Sequence, residues 1–393
     1  MDQQESLPTA ETVYVQSQKL LDAAVNQLQK ASEIAIDLEF DKDRFSYGST
    51  VCLIQVFDGT TCWLIDTLAG FSLQQLFPAL EDPSILKIMH SPGEDLQLLH
   101  LEGCFPKSIF DTERCARLLD FPSFSLSNLM LEFTGLPLDK SQQKTDWTKR
   151  PLQKAQLDYA ARDVIHLPEL KEKLLNLAKA KGIENWVDQE NEAWVRYRAE
   201  EKPTGQFTNK DDNKKLPPYF LYVFNALLGL RDGYASKMNK PGYQVITKEV
   251  LVDMAFSAEL ANQWLTQKGI HYSLKNNAVL QEVKATVAKA MQEAEALNLA
   301  KRKASSTLTF SQRQEEGAKR KQADDVIDQT LRPVLTEIMA RYGENAGAYI
   351  LNEKTMTEIV NGRMKISGLP YPYRSSLILE IAGRLGIDLR DFI

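Results

Sequence analysis

The chain is expected to fold as an α/β domain followed by all-α segments. Three observations lead there. In the first 120 residues, short apolar runs of strand length alternate with runs of helical spacing. From residue 216 onward the apolar spacing is helical only. Two polar stretches, "EEKPTGQFTNKDDNKK" at 200–215 and "AKRKASSTLTFSQRQEEGAKRKQA" at 300–323, interrupt the apolar pattern. Strands mixed with helices on one sheet define the α/β class.

The elements follow in order. Leu20–Lys30 has helical spacing. Ile34–Phe40, Val51–Phe57 and Thr61–Asp66 read as consecutive strands, the last two joined by an Asp58-Gly59 turn. Ser72–Leu80 is helical, Ile85–His90 a strand, Pro92–Leu101 a helix, Ser108–Phe110 a strand and Thr112–Leu119 a helix. One long helix is expected from Pro151 to Lys181, with proline in its first turn and Gly182 at its C-terminal cap. Residues 324–393 are helical, with a Gly/Pro-rich break at Ser367–Tyr373.

At 393 residues the chain is long enough for two or three domains. Its net charge of -6 is unevenly spread. Residues 1–200 hold 20 Lys+Arg and 31 Asp+Glu, a net of -11; residues 201–393 hold 27 and 22, a net of +5. The acidic half suits cation binding or simple solubility, and the basic half is compatible with a polyanion partner. The cysteines Cys52, Cys62, Cys104 and Cys115 form no C-x-x-C, which fits reduced thiols in the cytoplasm. The polar start MDQQESLPTA is not expected to be a signal peptide. No apolar run approaches the roughly 18 residues that span a bilayer, so no membrane partner is expected.

The strand "AIDLEF" carries the first chemistry. Side chains alternate along a strand, so Asp37 and Glu39 point the same way. Two like charges at that spacing repel unless a cation or water compensates them. An edge strand with one wet face is the alternative. Asp95 in "HSPGEDL" falls early in a helix, where an acid also favours the helix dipole. In "DYAARDVIHLPEL", Tyr159 and Asp163 are four apart, on one helical face and roughly 6 Å apart along the axis.

An ordered D-x-E, a later Asp after a strand–helix step, and Y-x-x-x-D on a further helix resemble the DEDD exonucleases of the tyrosine subclass. The histidine subclass would place its His where Asp158 stands here. "AIDLEF", "KIMHSPGEDL", "KTDWTKRPL" and "YAARDVIHLPEL" are close in wording to the ribonuclease D family, from about Val13 to Trp194. The resemblance implies a ribonuclease-H-like α/β fold and two divalent metal ions, Mg2+ or Mn2+, roughly 3.5–4 Å apart. It implies that Asp37 touches both ions. Glu39 and Asp163 would hold the ion on the side of the nucleophile, Asp95 would serve the other through water, and Tyr159 would orient the attacking water. Nucleoside 5′-monophosphates would leave one at a time from the 3′ end.

Lys144, Trp147 and Arg150 precede the helix that carries Tyr159 and are candidates for phosphate contact and base stacking. Helix capping by Asp146 or Thr148, with Trp147 packed inside, is the equal alternative. Asp111 in "FDT" reads as a turn or cap residue. His90, His100, His166 and His271 have no metal spacing. Residues 224–255 resemble, loosely, the helicase-and-RNase-D C-terminal (HRDC) domain, a small helical bundle that binds nucleic acid. Leu227, Leu230, Ala235, Pro241, Tyr243, Val245, Leu251 and Ala255 carry that pattern. Tyr371, Tyr373 and Arg374 could stack on RNA or shape a turn.

The expected layout is an exonuclease domain at 1–200, a linker at 201–215, an HRDC-like domain at 216–299, a basic linker at 300–323 and a C-terminal helical domain at 324–393 that could be a second HRDC copy. The expected activity is metal-dependent 3′-5′ trimming of structured RNA, with 3′ maturation of tRNA precursors implied by the resemblance. No obligate protein partner is evident. A 3′-5′ DNA exonuclease and a catalytically silent RNA-binding protein are the alternatives.

Overall fold

The computed structural model describes residues 10–135, 140–198, 205–303 and 310–393. Among them one sheet has six strands: β1 (Glu11–Val15), β2 (Glu33–Lys42), β3 (Ser49–Phe57), β4 (Thr61–Asp66), β5 (Leu86–Met89) and β6 (Ile109–Asp111), in the order β1-β4-β3-β2-β5-β6. β2 lies inside the sheet. It runs parallel to β5, with Ile34 opposite Lys87 and Ala35 opposite Ile88. β3 and β4 form an antiparallel hairpin. Its turn closes because Asp58 Oδ1 accepts the N–H groups of Thr60 (2.9 Å) and Thr61 (2.8 Å), and because Gly59 adopts φ +92, which costs little without a Cβ. The expected strands are all present, and the short edge strand β1 adds to them.

Helices α1 (Gln18–Leu28), α2 (Phe77–Glu81), α3 (Gly93–Leu101), α4 (Thr112–Leu118) and α5 (Leu126–Thr134) connect and cover the strands. The expected long helix is two, α6 (Lys154–Ile165) and α7 (Leu167–Ala180). The break follows from Pro168, which has no N–H to continue the α6 ladder; Leu170 instead donates to the His166 carbonyl (3.0 Å). Pro151 lies ahead of α6 rather than in its first turn. The helix starts where the Gln153 N–H donates to Gln156 Oε1 (3.0 Å). α8 (Glu184–Arg196) follows Gly182.

The described residues of 10–39, 51–198 and 310–393 form one compact unit. Its C-terminal part holds α14 (Phe310–Gln329), α15 (Leu331–Tyr342), α16 (Glu344–Ile350), α17 (Glu353–Val360) and α18 (Pro372–Leu385). Ile327, Leu331, Val334, Ile338 and Ile378 are buried in the same core as Leu118, Leu129, Leu174 and Val187. A boundary drawn by composition at 324 therefore separates segments that pack together. Residues 310–323, expected as linker, are helical in α14. Their Gln, Arg, Glu, Lys and Ala are good helix formers that leave no apolar stripe to read. In the other expected linker, 201–215, Lys210–Lys215 are helical as well, while residues 201–204 and 304–309 lie outside the described residues.

The second unit contains residues 40–50 and 205–303. α9 (Lys210–Lys215), α10 (Pro218–Met238), α11 (Gly242–Val245), α12 (Lys248–Phe256) and α13 (Asn277–Ala296) enclose Phe224, Leu227, Leu251 and Trp264, all fully buried. Tyr47 packs on this core and donates to Asp232 Oδ2 (2.8 Å).

Candidate metal centre

The period of β2 puts Asp37 and Glu39 on the face that carries Ala35. Ala35 is buried in one core with Ala160, Ala161 and Val164, so α6 covers that face. α6 then supplies Asp163, with Tyr159 one turn earlier. Carboxylate oxygens of Asp37, Glu39 and Asp163 lie within 4.8 Å of one another. Glu39, Asp95 and Asp163 are each 8% exposed, and Asp37 is half-buried. Asp95 is the third residue of α3. It stands outside the three-carboxylate group but close enough for its charge to act on Glu39.

Burial and mutual repulsion set the electrostatics. Burial pushes Asp37 up to about 7, against a hydrogen bond from the Leu38 N–H. Burial raises Glu39 well above the usual carboxylate range, and the charges of Asp37, Asp163 and Asp95 raise it further. Asp163 is pushed up to about 8 by burial and by Asp37, while a hydrogen bond from Tyr159 and the exposed Lys140 pull the other way. Tyr159 is raised by burial, then by Asp163 and Glu39, so its phenol keeps its proton. Among the described residues no cation forms an ion pair with Asp37, Glu39 or Asp163. Buried acids without a partner are costly, and hard divalent cations prefer such oxygen donors, so the residues fit a metal ion.

The other expected site residues fare differently. Trp147 is 2% exposed and packs in the core, its ring centroid 6.2 Å from that of Tyr159. A base cannot stack on it there, and this corrects the stacking expectation. Arg150 is also employed structurally. Its Nε and Nη2 donate to the two carboxylate oxygens of Asp66 (2.7 Å each), Nη2 to the Cys52 carbonyl (2.7 Å) and Nη1 to the Trp147 carbonyl (2.7 Å). Lys144 is exposed. Asp146 accepts from the Thr148 N–H (3.0 Å) in a local turn, and neither caps α6, whose N-cap is Gln153. Tyr373 (4% exposed) and Arg374 (8%) are buried rather than open to RNA. His90 bonds Thr112 Oγ1 (2.8 Å) and burial holds it down at about 4; His100 stacks on Tyr197, ring centroids 5.6 Å apart.

Sequence reading passed over Lys140, whose charge eases Asp163, and Trp194, whose indole reaches Asp111. Neither sits in a motif. A basic residue ahead of α6 was the available signal for Lys140, and Trp194 had none.

Residues 12–179 match the family model described as 3′-5′ exonuclease. Ribonuclease D of Zymomonas mobilis is 34% identical over 253 residues, covering 60% of this chain and 61% of that one. Ribonuclease D of Escherichia coli is 39% identical over 151 residues, covering 38% and 40%. The crystal structure of the Escherichia coli enzyme, titled an exoribonuclease involved in structured RNA processing, superposes with a TM-score of 0.67 at 22% identity over 95% of this chain and 99% of that one, which establishes a shared fold. The foremost sequence matches span about three fifths of the length of the curated relatives.

Proposed function

We infer, for a chain whose residues 12–179 match the 3′-5′ exonuclease model, a metal-dependent 3′-5′ exoribonuclease of the ribonuclease D type. The observation that carries this reading is the convergence of Asp37, Glu39 and Asp163, from β2 and α6, with oxygens within 4.8 Å and, among the described residues, no cation paired to them. Asp95 completes the set from α3.

Two Mg2+ or Mn2+ ions bound there would activate a water and stabilise the leaving 3′ oxygen of an in-line displacement at phosphorus. The chain's own residues do the rest. Asp37, Glu39, Asp95 and Asp163 would hold the cations, on elements fixed by sheet and core packing. Tyr159 keeps its proton at neutral pH, so it acts as a hydrogen-bonding group that aligns the attacking water, and not as a base. The water oxygen would bond to phosphorus as its proton passes to solvent, the bond from phosphorus to the 3′ oxygen would break, that oxygen would take up a proton to become the new 3′ hydroxyl, and a nucleoside 5′-monophosphate would leave.

The proposed substrates are tRNA precursors and other small structured RNAs in the cytoplasm. Lys144, exposed ahead of α6, suits a phosphate contact. The helical unit from 216 to 299 is the proposed HRDC-like RNA-binding module. Its exposed Tyr272, Tyr243 and Phe256 offer stacking surface, whereas Leu227, Ala235, Val245, Leu251 and Ala255 form its core.

The test is a gel series with a 5′-labelled tRNA-like transcript bearing a 3′ extension, a matched single-stranded DNA, Mg2+, Mn2+ and chelator lanes, and Asp37→Asn. A ladder shortening from the RNA 3′ end, lost with chelator and in the variant, supports the reading. Preferential DNA trimming would move it to a DNA exonuclease. Binding without cleavage under either ion would sink it.

A further inference from the structure

We propose that Asp111 and Trp194 are positioning residues for Asp95 and thereby set the metal affinity of the site; this rests on the metal-dependent reading above. Asp95 is carried by the first turn of α3, and what places that turn is the short connection from β5, His90 to Pro92. Ser91 in it adopts φ +55, a left-handed conformation that is strained for a residue with a side chain. Something must hold it, and Asp111 does.

Asp111 ends β6 and is 1% exposed. Its Oδ1 accepts the Ser91 N–H at 2.9 Å and the Glu113 N–H at 2.9 Å. Its Oδ2 accepts Nε1–H of Trp194 at 3.1 Å. Its own N–H donates to Asn191 Oδ1 at 2.9 Å. Capping α4 requires only the Glu113 bond; the bonds to Ser91 and Trp194 tie the strand end to the α3 turn and to α8.

Trp194 holds the same turn from its other side. The indole edge stands 3.6 Å from where a Cβ on Gly93 would lie, so ring and turn are in near contact. Arg114 fixes the ring in turn: its guanidinium lies 3.9 Å from the ring centroid, its Nε is 3.7 Å from Asp111 Oδ2, and it donates to the Glu190 carbonyl. From the turn onward the helix is hydrogen-bonded to it. Leu96 N–H donates to the Pro92 carbonyl at 2.9 Å, a bond that encloses Asp95. A shift at Ser91–Gly93 therefore moves Asp95 with it.

Asp111→Asn keeps one acceptor oxygen but turns an amide N–H2 toward the indole N–H, setting donor against donor. Trp194→Phe removes that N–H while keeping a ring at Gly93. The experiment titrates Mn2+ into the metal-free full chain, reading free Mn2+ by electron paramagnetic resonance. The wild type, both single variants and the double variant are compared, with kcat and KM on a labelled oligoribonucleotide. Asp111→Asn should weaken Mn2+ binding roughly tenfold, the range for residues that orient metal ligands, and lower kcat more than it changes KM. Trp194→Phe alone should stay within about twofold, and the double variant should recover much of what Asp111→Asn loses. Wild-type Mn2+ affinity in folded Asp111→Asn, or no recovery in the double variant, would overturn the proposal while leaving the nuclease reading intact. Should Asp111→Asn not fold, Trp194→Leu, which removes both the N–H and the ring at Gly93, must weaken Mn2+ binding; unchanged affinity would overturn it. A wild-type chain that binds no Mn2+ would overturn both.

Discussion

Two buried acidic places in the same compact unit are built on opposite plans. Glu190 on α8 is fully buried, and its oxygens are filled: Arg374 Nη2 donates at 2.6 Å, Tyr373 Oη at 2.7 Å and Tyr349 Oη at 2.9 Å. Asp37, Glu39 and Asp163 crowd within 4.8 Å with no such cation. The first arrangement is self-sufficient and ties α16 and α18 to α8. The second is complete only when positive charge arrives from outside. A buried acid that carries its own cation serves the fold, and acids crowded without one suit a divalent cation.

The comparison can be broken or sharpened in order of expected effect. Asp37→Asn should lower trimming by about 10^4-fold, about 5 kcal/mol of transition-state stabilisation, in single-turnover assays. Loss of under tenfold would mean that the cluster is not the centre. Arg374→Met should do the reverse. It should cost about 3–5 kcal/mol of stability by stranding Glu190, measured by urea unfolding, with part restored in Glu190→Gln/Arg374→Met. Its Mn2+ affinity should match the wild type wherever the protein remains folded. Tyr159→Phe should reduce kcat by about 10^2-fold, about 2.7 kcal/mol, with metal binding and melting temperature held. A fall in stability larger than the fall in rate would make Tyr159 a packing residue.

The smallest effect is pH-dependent. Asp37 is raised to about 7 and Asp163 to about 8 in the folded chain, above their unfolded values near 4. Groups with raised folded values stabilise fully below the unfolded pKa, and that contribution is lost as pH rises through the folded one. The melting temperature of the metal-free chain should therefore decline from about pH 4 to about pH 8 and level off above it. Asp37→Asn should flatten the decline, and saturating Mg2+ should as well. An equal slope in wild type and variant would show that these acids do not titrate in this window.

Much of the site was legible because short-range periodicity decides it. Period two on β2 aims Asp37 and Glu39 together, and four-residue spacing on α6 aims Tyr159 and Asp163 together. β1 escaped notice because five residues, exposed at one end, give little pattern. The split of α6 from α7 was present in Pro168 but outweighed by continuous helical spacing. Trp147 and Arg150 look like nucleic-acid contacts locally. Only the distant partners Tyr159 and Asp66 reveal them as packing and an ion pair. Glu190 and Arg374, 184 positions apart, leave no local trace of each other at all.

The central claim is that the crowded carboxylates await a divalent cation. Calorimetric titration of Mn2+ into the metal-free chain at pH 7, in two buffers of different ionisation enthalpy, tests it most directly. Because burial and Asp37 raise Asp163 to about 8, so that it holds its proton near neutrality, binding should release protons, making the apparent enthalpy depend on the buffer, and Asp37→Asn should abolish the tight phase. Binding that is no tighter in the wild type than in Asp37→Asn, or that shows no buffer dependence, would contradict the account.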